Sequence, residues 1–353
     1  MMMKKFSQLL VALALLPLFF SCKNEEPDPY SGTPRITLTT AIKPGEKIHL
    51  TIETMDDDVW VDINGDRICQ PEEKIEPGML VTYGIITLYG YKWYDVVNPT
   101  ITIYGRVQGL DCSLNKITDI DLSRSSGLLT LVCYGNYLKS LNLNNTPDLE
   151  TLHCSGNALS KLDVSNLKAL KRFFCEGNSI EKINVSNNSA LETLFCSHNR
   201  LKELSVDKNP LLSELACDDN ALTHLDLSNN KHLQVIKCSQ NNLKHLDVSA
   251  TKSLTELNCS QNSIETLLFN PDANLLSFVV CYNNQISGEG MDTLVNSIPI
   301  TDNNGVIWIK TLNDPKEGNV CTDAQIAILK ERHWLVEYNQ WPQFYGAESL
   351  LKN

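Results

Sequence analysis

Between residues 107 and 284 the apolar positions keep one strict spacing. In a clean copy they fall at Leu149, Leu152, Cys154, Leu159, Leu162 and Val164, with Asn157 among them, which reads L-x-x-L-x-C-x-x-N-x-L-x-x-L-x-V. The cysteine returns at Cys112, Cys133, Cys154, Cys175, Cys196, Cys217, Cys238, Cys259 and Cys281, every 21 residues until a last step of 22. An asparagine follows each cysteine by three residues, from Asn115 through to Asn284. Two periods therefore run together. Within L-x-C the alternation is that of a strand, so Leu152 and Cys154 point one way while His153 and Ser155 point the other. Over the longer period the inward set repeats, as it must if each coil is to stack on its neighbours and bury what no single coil can bury alone.

A period of 21 with this spacing predicts a leucine-rich-repeat solenoid: a right-handed coil of mixed α/β and β class, with a parallel sheet on its concave side. Cysteine suits the inward position because a free thiol behaves as a small apolar group. The asparagine closes the strand into the next turn, where its amide meets backbone groups that the bend leaves unpaired. A column of them predicts a ladder along the coil. Zinc would want ligands clustered at short spacing, which isolated cysteines do not offer. Disulfides are the stronger rival, since strands about 4.8 Å apart fall inside the Cα range of a bridge and an exported chain meets an oxidising compartment. Stacked side chains point in parallel, however, and nine cysteines is an odd number. Free, buried thiols are expected. Nothing assigns a partner to Cys69 or Cys321.

This cysteine-bearing repeat resembles that of the internalin J-like bacterial surface leucine-rich-repeat proteins, and similar repeats occur in Gram-negative surface lipoproteins. The resemblance covers about half the chain. It is specific for fold and implies a protein ligand on the concave face, although fold does not by itself determine function.

The flanking segments read differently. Residues 1–21 carry Lys4 and Lys5 and then an apolar run over residues 9–20, which is a secretory signal and not a membrane span. They end in Phe19-Phe20-Ser21-Cys22, which resembles a lipobox with Phe19 in place of leucine. Cys22 is thus the expected lipidation site, and lipid the only membrane contact. Residues 22–34 are an acidic, proline-containing tether. It resembles the export tag of surface-exposed lipoproteins, which implies an outer-membrane location facing the exterior. Residues 35–106 have period two, with Ile36-Leu38, Ile48-Leu50-Ile52, Val59-Val61-Ile63 and Ile101-Ile103 punctuated by Pro44-Gly45, Asn64-Gly65, Pro77-Gly78 and Asn98-Pro99. They predict a small β-sandwich domain that covers the apolar end of the first coil. The repeats occupy residues 107–289. In residues 290–353 the spacing becomes helical at Met291, Leu294, Val295 and Ile298, strand-like at residues 305–309, helical at 323–333 behind a Thr322 cap, and strand-like at 334–338. Irregular α/β coils there are expected to complete the sheet and shield its edge.

Charge and candidate chemistry narrow the function. A formal net charge of −12 makes nucleic acid an improbable partner. His153, His198, His224, His232 and His245 stand in no catalytic or metal-binding pattern, and glycine-rich phosphate loops are absent. An enzyme is not expected, nor a cofactor, with one exception. Asp62, Asn64, Asp66 and Glu73 stand at positions 1, 3, 5 and 12 of a calcium loop. Arg67 holds the sixth place, where glycine should permit the bend. The alternative is an acidic hairpin turn at Asn64-Gly65.

The remaining candidate is the sheet face itself. Residues that flank each cysteine are mostly small or polar, but Val132, Tyr134, Phe174 and Phe195 are not. They are expected as exposed anchors for a protein partner, with Glu176 and Asp218 on the polar rim. A glycan ligand is the alternative, with Tyr134 or Tyr282 as platform. Phe278, Val280 and Tyr282 form a second group, placed where the C-terminal coils would cover them.

Overall fold

The computed structural model describes residues 29–75, 80–83, 86–89, 91–125, 127–301 and 304–339. The expected secretory signal, Cys22 and the expected tether up to residue 28 lie outside them. The chain forms two compact units, Met1–Thr33 and Pro34–Asn353. In the first, the described residues make a turn closed by the Thr33 N–H on the Tyr30 carbonyl at 3.0 Å.

The second unit is a parallel β solenoid built on one 13-stranded sheet. Three-residue strands, from Gly109–Asp111 to Phe278–Val280, pair parallel and in register, one per repeat. Their central residues (Leu110, Leu131, Leu152, Phe173, Leu194, Leu215, Ile236, Leu257, Val279) stand side by side and are fully buried. The nine repeat cysteines form the next column, all free and fully buried. Burial holds their thiols well above the usual range, so the thiolate that would begin disulfide exchange is suppressed.

The asparagine column joins the coils. Asn157 Nδ2 donates to the carbonyls of Cys133 and Cys154, both at 3.0 Å, and its Oδ1 accepts the Leu138 N–H at 3.0 Å. One side chain thus satisfies backbone groups of two successive coils. The same set recurs at Asn136, Asn178, Asn199, Asn220, Asn241, Asn262 and Asn284. Asn115 has no coil before it and bonds instead to the main chain of His49, which donates to Oδ1 at 3.2 Å and accepts from Nδ2 at 2.5 Å. The other end continues beyond the sequence repeat. Asn319 accepts the Ile286 N–H at 2.9 Å and donates to Cys281 O and Ile309 O at 2.8 and 2.7 Å, with Ile309 in the place of a further cysteine. A second amide column, Asn188, Asn209 and Asn230, donates to carbonyls of the preceding coils elsewhere in the repeat.

Two residues after each cysteine the chain turns through the left-handed region, with φ between 49° and 64° from Leu114 to Asn283. Glycine supplies this at Gly135, Gly156 and Gly177, but His198, Asp219, Gln240 and Gln261 adopt it as well. The amide of the following asparagine stabilises the bend that these side chains oppose.

The described part of residues 35–104 forms seven strands, as their period predicts, and some of them pair with strands of the first repeat. One sheet runs Trp60–Asp62, Thr100–Tyr104, Arg35–Thr40, Ile117–Arg124, and its last strand comes from the first repeat. Lys47–Glu53 pairs antiparallel with Gly109–Asp111, and Tyr91–Asp95 lies beyond it, so both extend the solenoid sheet. Strands on either side of residue 106 therefore share both sheets. The open edge of the first repeat strand is closed by hydrogen bonds, and Ile48, Leu50 and Ile52 continue its core. At the C-terminal end, Gly305–Thr311 and Trp334–Asn339 add two more parallel strands, with helices Glu289–Ser297 and Asp323–Glu331 between the strands in sequence. Thr322 caps the second helix by accepting the Gln325 N–H at 3.3 Å.

The cysteine column makes a direct prediction. Denatured, unreduced protein should show at least nine reactive thiols, whereas a count near zero would mean bridges. Cys196→Ser should lower stability by about 1–3 kcal/mol in a denaturant titration, because it buries a poorly matched hydroxyl, and Cys196→Ala should cost less.

Candidate binding face

In-register pairing dictates what the outer face can be. The residues just before each cysteine form one row, Asp111, Val132, His153, Phe174, Phe195, Ala216, Lys237, Asn258 and Val280, and Trp308 extends it. Rings on adjacent coils lie about 4.8 Å apart and have to pack on one another. Tyr134 stacks on His153 with centroids 4.8 Å apart and planes at 24°. His153 meets Phe174 at 5.1 Å, and Phe174 meets Phe195 edge-on at 5.3 Å. A continuous aromatic run thus crosses four coils. His153 is the member that a reading by polarity misses: it counts as polar in the alternation, yet its planar ring fills the gap between Tyr134 and Phe174. Burial lowers its pKa to about 4, so the ring is neutral at physiological pH.

The expectation of freely exposed anchors needs correction. Val132 is 3 % and Phe174 6 % exposed, the latter packed between the rings of His153 and Phe195. Tyr134 and Phe195 are half-buried. Glu176 and Asp218 are not loose rim groups either. Ser155 Oγ donates to Glu176 Oε2 at 2.5 Å, and burial raises the Glu176 pKa against the pull of that bond. Asp218 accepts from the Ser239 hydroxyl and N–H at 2.7 and 2.8 Å and from Ser197 Oγ at 3.2 Å. Both carboxylates are fixed in place. Of the second group, Val280 is buried beside the C-terminal strand as expected, whereas Phe278 and Tyr282 stay half-buried. Phe278 and Val280 pair with Val306 and Trp308 of the next strand, and Phe278 meets Trp308 edge-on at 5.5 Å. The C-terminal coils lengthen the face instead of roofing it.

The row on the other side of the strand centre runs Thr130, Thr151, Arg172, Thr193, Glu214, Val235 and Glu256. Arg172 Nη2 donates to Thr151 Oγ1 at 2.8 Å, and its Nε is buried without a protein acceptor. Lys237 pairs with Glu256 at 3.5 Å, and nearby Lys171 pairs with Glu150 at 2.9 Å.

The loop proposed for calcium brings its four residues together but uses their oxygens internally. Asp62 accepts the N–H groups of Gly65 and Arg67 at 2.7 and 3.2 Å. Asn64 Oδ1 accepts from Asp66 N at 2.9 Å, and Asp66 accepts from Ile68 N at 2.8 Å and Gln70 Nε2 at 2.8 Å. Buried Glu73 accepts from Ile63 and Gln70, both at 3.1 Å. Gly65 and Arg67 both take the bend, at φ 79° and 60°, a 3-10 turn, Pro71–Glu73, follows, and Lys74 then bridges back antiparallel to Trp60. Among the described residues no three His, Cys, Asp or Glu side chains converge as a metal would require. The donor set as it stands fits a self-capped loop.

No protein-family profile matches the chain, and no curated protein does. Among solved structures it is similar to the functional domain of InlJ from Listeria monocytogenes, which includes a cysteine ladder, at 26% identity over 62% of this chain and 56% of that one, with a TM-score of 0.38. It is similar also to YopM, a leucine-rich effector protein from Yersinia pestis, at 25% identity over 58% of this chain and 56% of that one, TM-score 0.45. A leucine-rich-repeat protein from Leptospira interrogans is 16% identical over 65% of this chain and 72% of that one, TM-score 0.45. The match thus spans a little over half the length of the first two.

The aromatic run predicts a pH dependence. His153 has its pKa depressed from 6.5 to about 4 on folding, so below pH 6.5 the unfolded chain binds the extra proton. Stability should therefore fall as pH drops from about 6.5 towards 4, by an amount on the order of 1–3 kcal/mol, and be unaffected by this group above that window. Chemical denaturation across that range should show the slope in the wild type and a flatter one in His153→Phe. Equal slopes would place the histidine outside the stack.

Proposed function

We propose that this chain is a non-enzymatic recognition protein that binds a protein partner on the outer face of its parallel sheet. The observation that carries the proposal is the aromatic run Tyr134, His153, Phe174, Phe195, whose ends are half-buried and whose rings hold one another rigidly. Preordered aromatic side chains at the centre of a rigid surface are what protein interfaces use as anchors, since little rotamer freedom remains to be lost. Fixed carboxylates at Glu176 and Asp218 supply polar contacts beside them. A glycan platform is less well supported, because His153 already covers one face of the Tyr134 ring. Export, lipidation at Cys22 and display on the outer membrane complete the proposal, and they rest on the sequence alone.

Phe195 is the residue to change, because it ends the run and is less buried than Phe174. Affinity purification with the full chain as bait should capture a protein partner that Phe195→Ala loses, with affinity weakened at least about tenfold. The thermal midpoint of the variant should fall only a few degrees. Capture that is indifferent to Phe195 would move the site elsewhere. Separately, Cys22→Ala should shift the protein from the membrane fraction to the soluble fraction. Equal partition of both forms would remove the lipid anchor from the proposal.

A further inference from the structure

Two charges on this face lack a counter-charge. Arg172 and Glu214 stand in one outward row, two coils apart with Thr193 between them, so about 10 Å separates them at the spacing of paired strands. Among the described residues neither has an ion-pair partner, whereas the neighbouring Lys171 and Lys237 both do. The guanidinium donates only to the neutral Thr151 hydroxyl, and its Nε is buried with no protein acceptor. Glu176, on the same coil, is held by Ser155 instead. Arg172 and Glu214 are both half-buried, so part of their hydration is already lost before a partner arrives. A planar guanidinium in that condition is suited to a carboxylate.

The apolar contact lies beside this pair. Phe195 is on the coil between them, and the next residue in its row is the small, buried Ala216, which leaves a step beyond the ring. Asp218, on the same coil as Glu214, is fixed by Ser197 and Ser239 and adds a second negative charge at that end. Among the described residues the face thus offers its one unpaired cation at the fourth repeat, where Glu176 is taken up by Ser155, an apolar ring at the fifth, and two carboxylates at the sixth.

Resting on the reading of this face as a protein-binding surface, we propose that the segment it takes is dipolar. An apolar side chain sits over Phe195 and the Ala216 step, a carboxylate meets Arg172, and a lysine or arginine meets Glu214 and Asp218. A segment with like charges, or with none, would cover Arg172 or Glu214 without a partner and bind more weakly.

A phage-displayed library of random dodecapeptides, panned on the full chain and counter-selected on Phe195→Ala, tests this. Enriched sequences should carry an acidic and a basic residue flanking an apolar one. For a synthetic peptide made from such a sequence, replacing its acid by lysine should weaken binding at least tenfold, and Arg172→Glu should restore it. Replacing its base by glutamate should be rescued by Glu214→Lys. Peptides that need Phe195 but lack the charge pair, or whose charge changes neither variant rescues, overturn the dipolar inference and leave the binding face standing. A library that yields nothing dependent on Phe195 overturns the binding face itself.

Discussion

One asparagine amide per coil sets the geometry of everything else. At each bend the carbonyl of the cysteine turns inward, away from water, and the neighbouring coil offers it no N–H. The amide of the next asparagine reaches both carbonyls and returns an acceptor to the N–H two residues past the preceding asparagine. Leaving such groups unpaired would cost about 1–3 kcal/mol at every coil. Because each amide bridges two coils, it fixes their register as well as their spacing. Lateral slippage by one residue would break every rung at once. The two ends obey the same constraint by different means, main chain of His49 at one and Asn319 at the other.

Fixed register has opposite consequences on the two faces of the sheet. Inside, it stacks cysteine on cysteine and leucine on leucine, so a small thiol recurs at each level and no level is overfilled. Outside, it brings unlike residues into columns, and a column of rings becomes a packed layer open to solvent on one side only. Phe174 is therefore structural and superficial together: it lies on the outer face, yet His153 and Phe195 remove it from water. The rigidity that makes the run a credible anchor also costs it exposed area.

The sequence told the fold where a residue's role repeats, and fell silent where it does not. Cysteine, asparagine and leucine keep their roles in every coil, and the ladder, the buried thiols and the parallel strands follow from their spacing. Asn319 has the same role without the spacing, because helix Glu289–Ser297 lengthens its coil before Ile309 and the segment after strand Gly305–Thr311 lengthens it again, so no period points to it. The N-terminal strands were legible one by one, but their partners were not. Antiparallel pairing of Lys47–Glu53 with Gly109–Asp111 links segments about sixty residues apart through backbone atoms, which carry no signature in side-chain pattern. The binding face was half legible. The aromatic residues were visible, but their exposure depended on what stood in the same row one coil away, and the polarity of His153 concealed its ring.

The joining of coils by one repeated amide also bears on how such a chain can change in length. Each asparagine bonds to the coil before it through atoms that every coil presents alike, so excision of one 21-residue unit brings equivalent donors and acceptors back together. The scaffold should accept gain or loss in whole units and reject fractions of a unit. What a unit carries outward is not equivalent, however. Loss of the coil that bears Phe195 would bring Phe174 beside Ala216 and Arg172 beside Glu214, which would let the two charges neutralise each other. The same event that the core does not register would erase the charge order of the outer face. Recognition in this architecture can therefore be rewritten by rearranging intact units, without a single substitution.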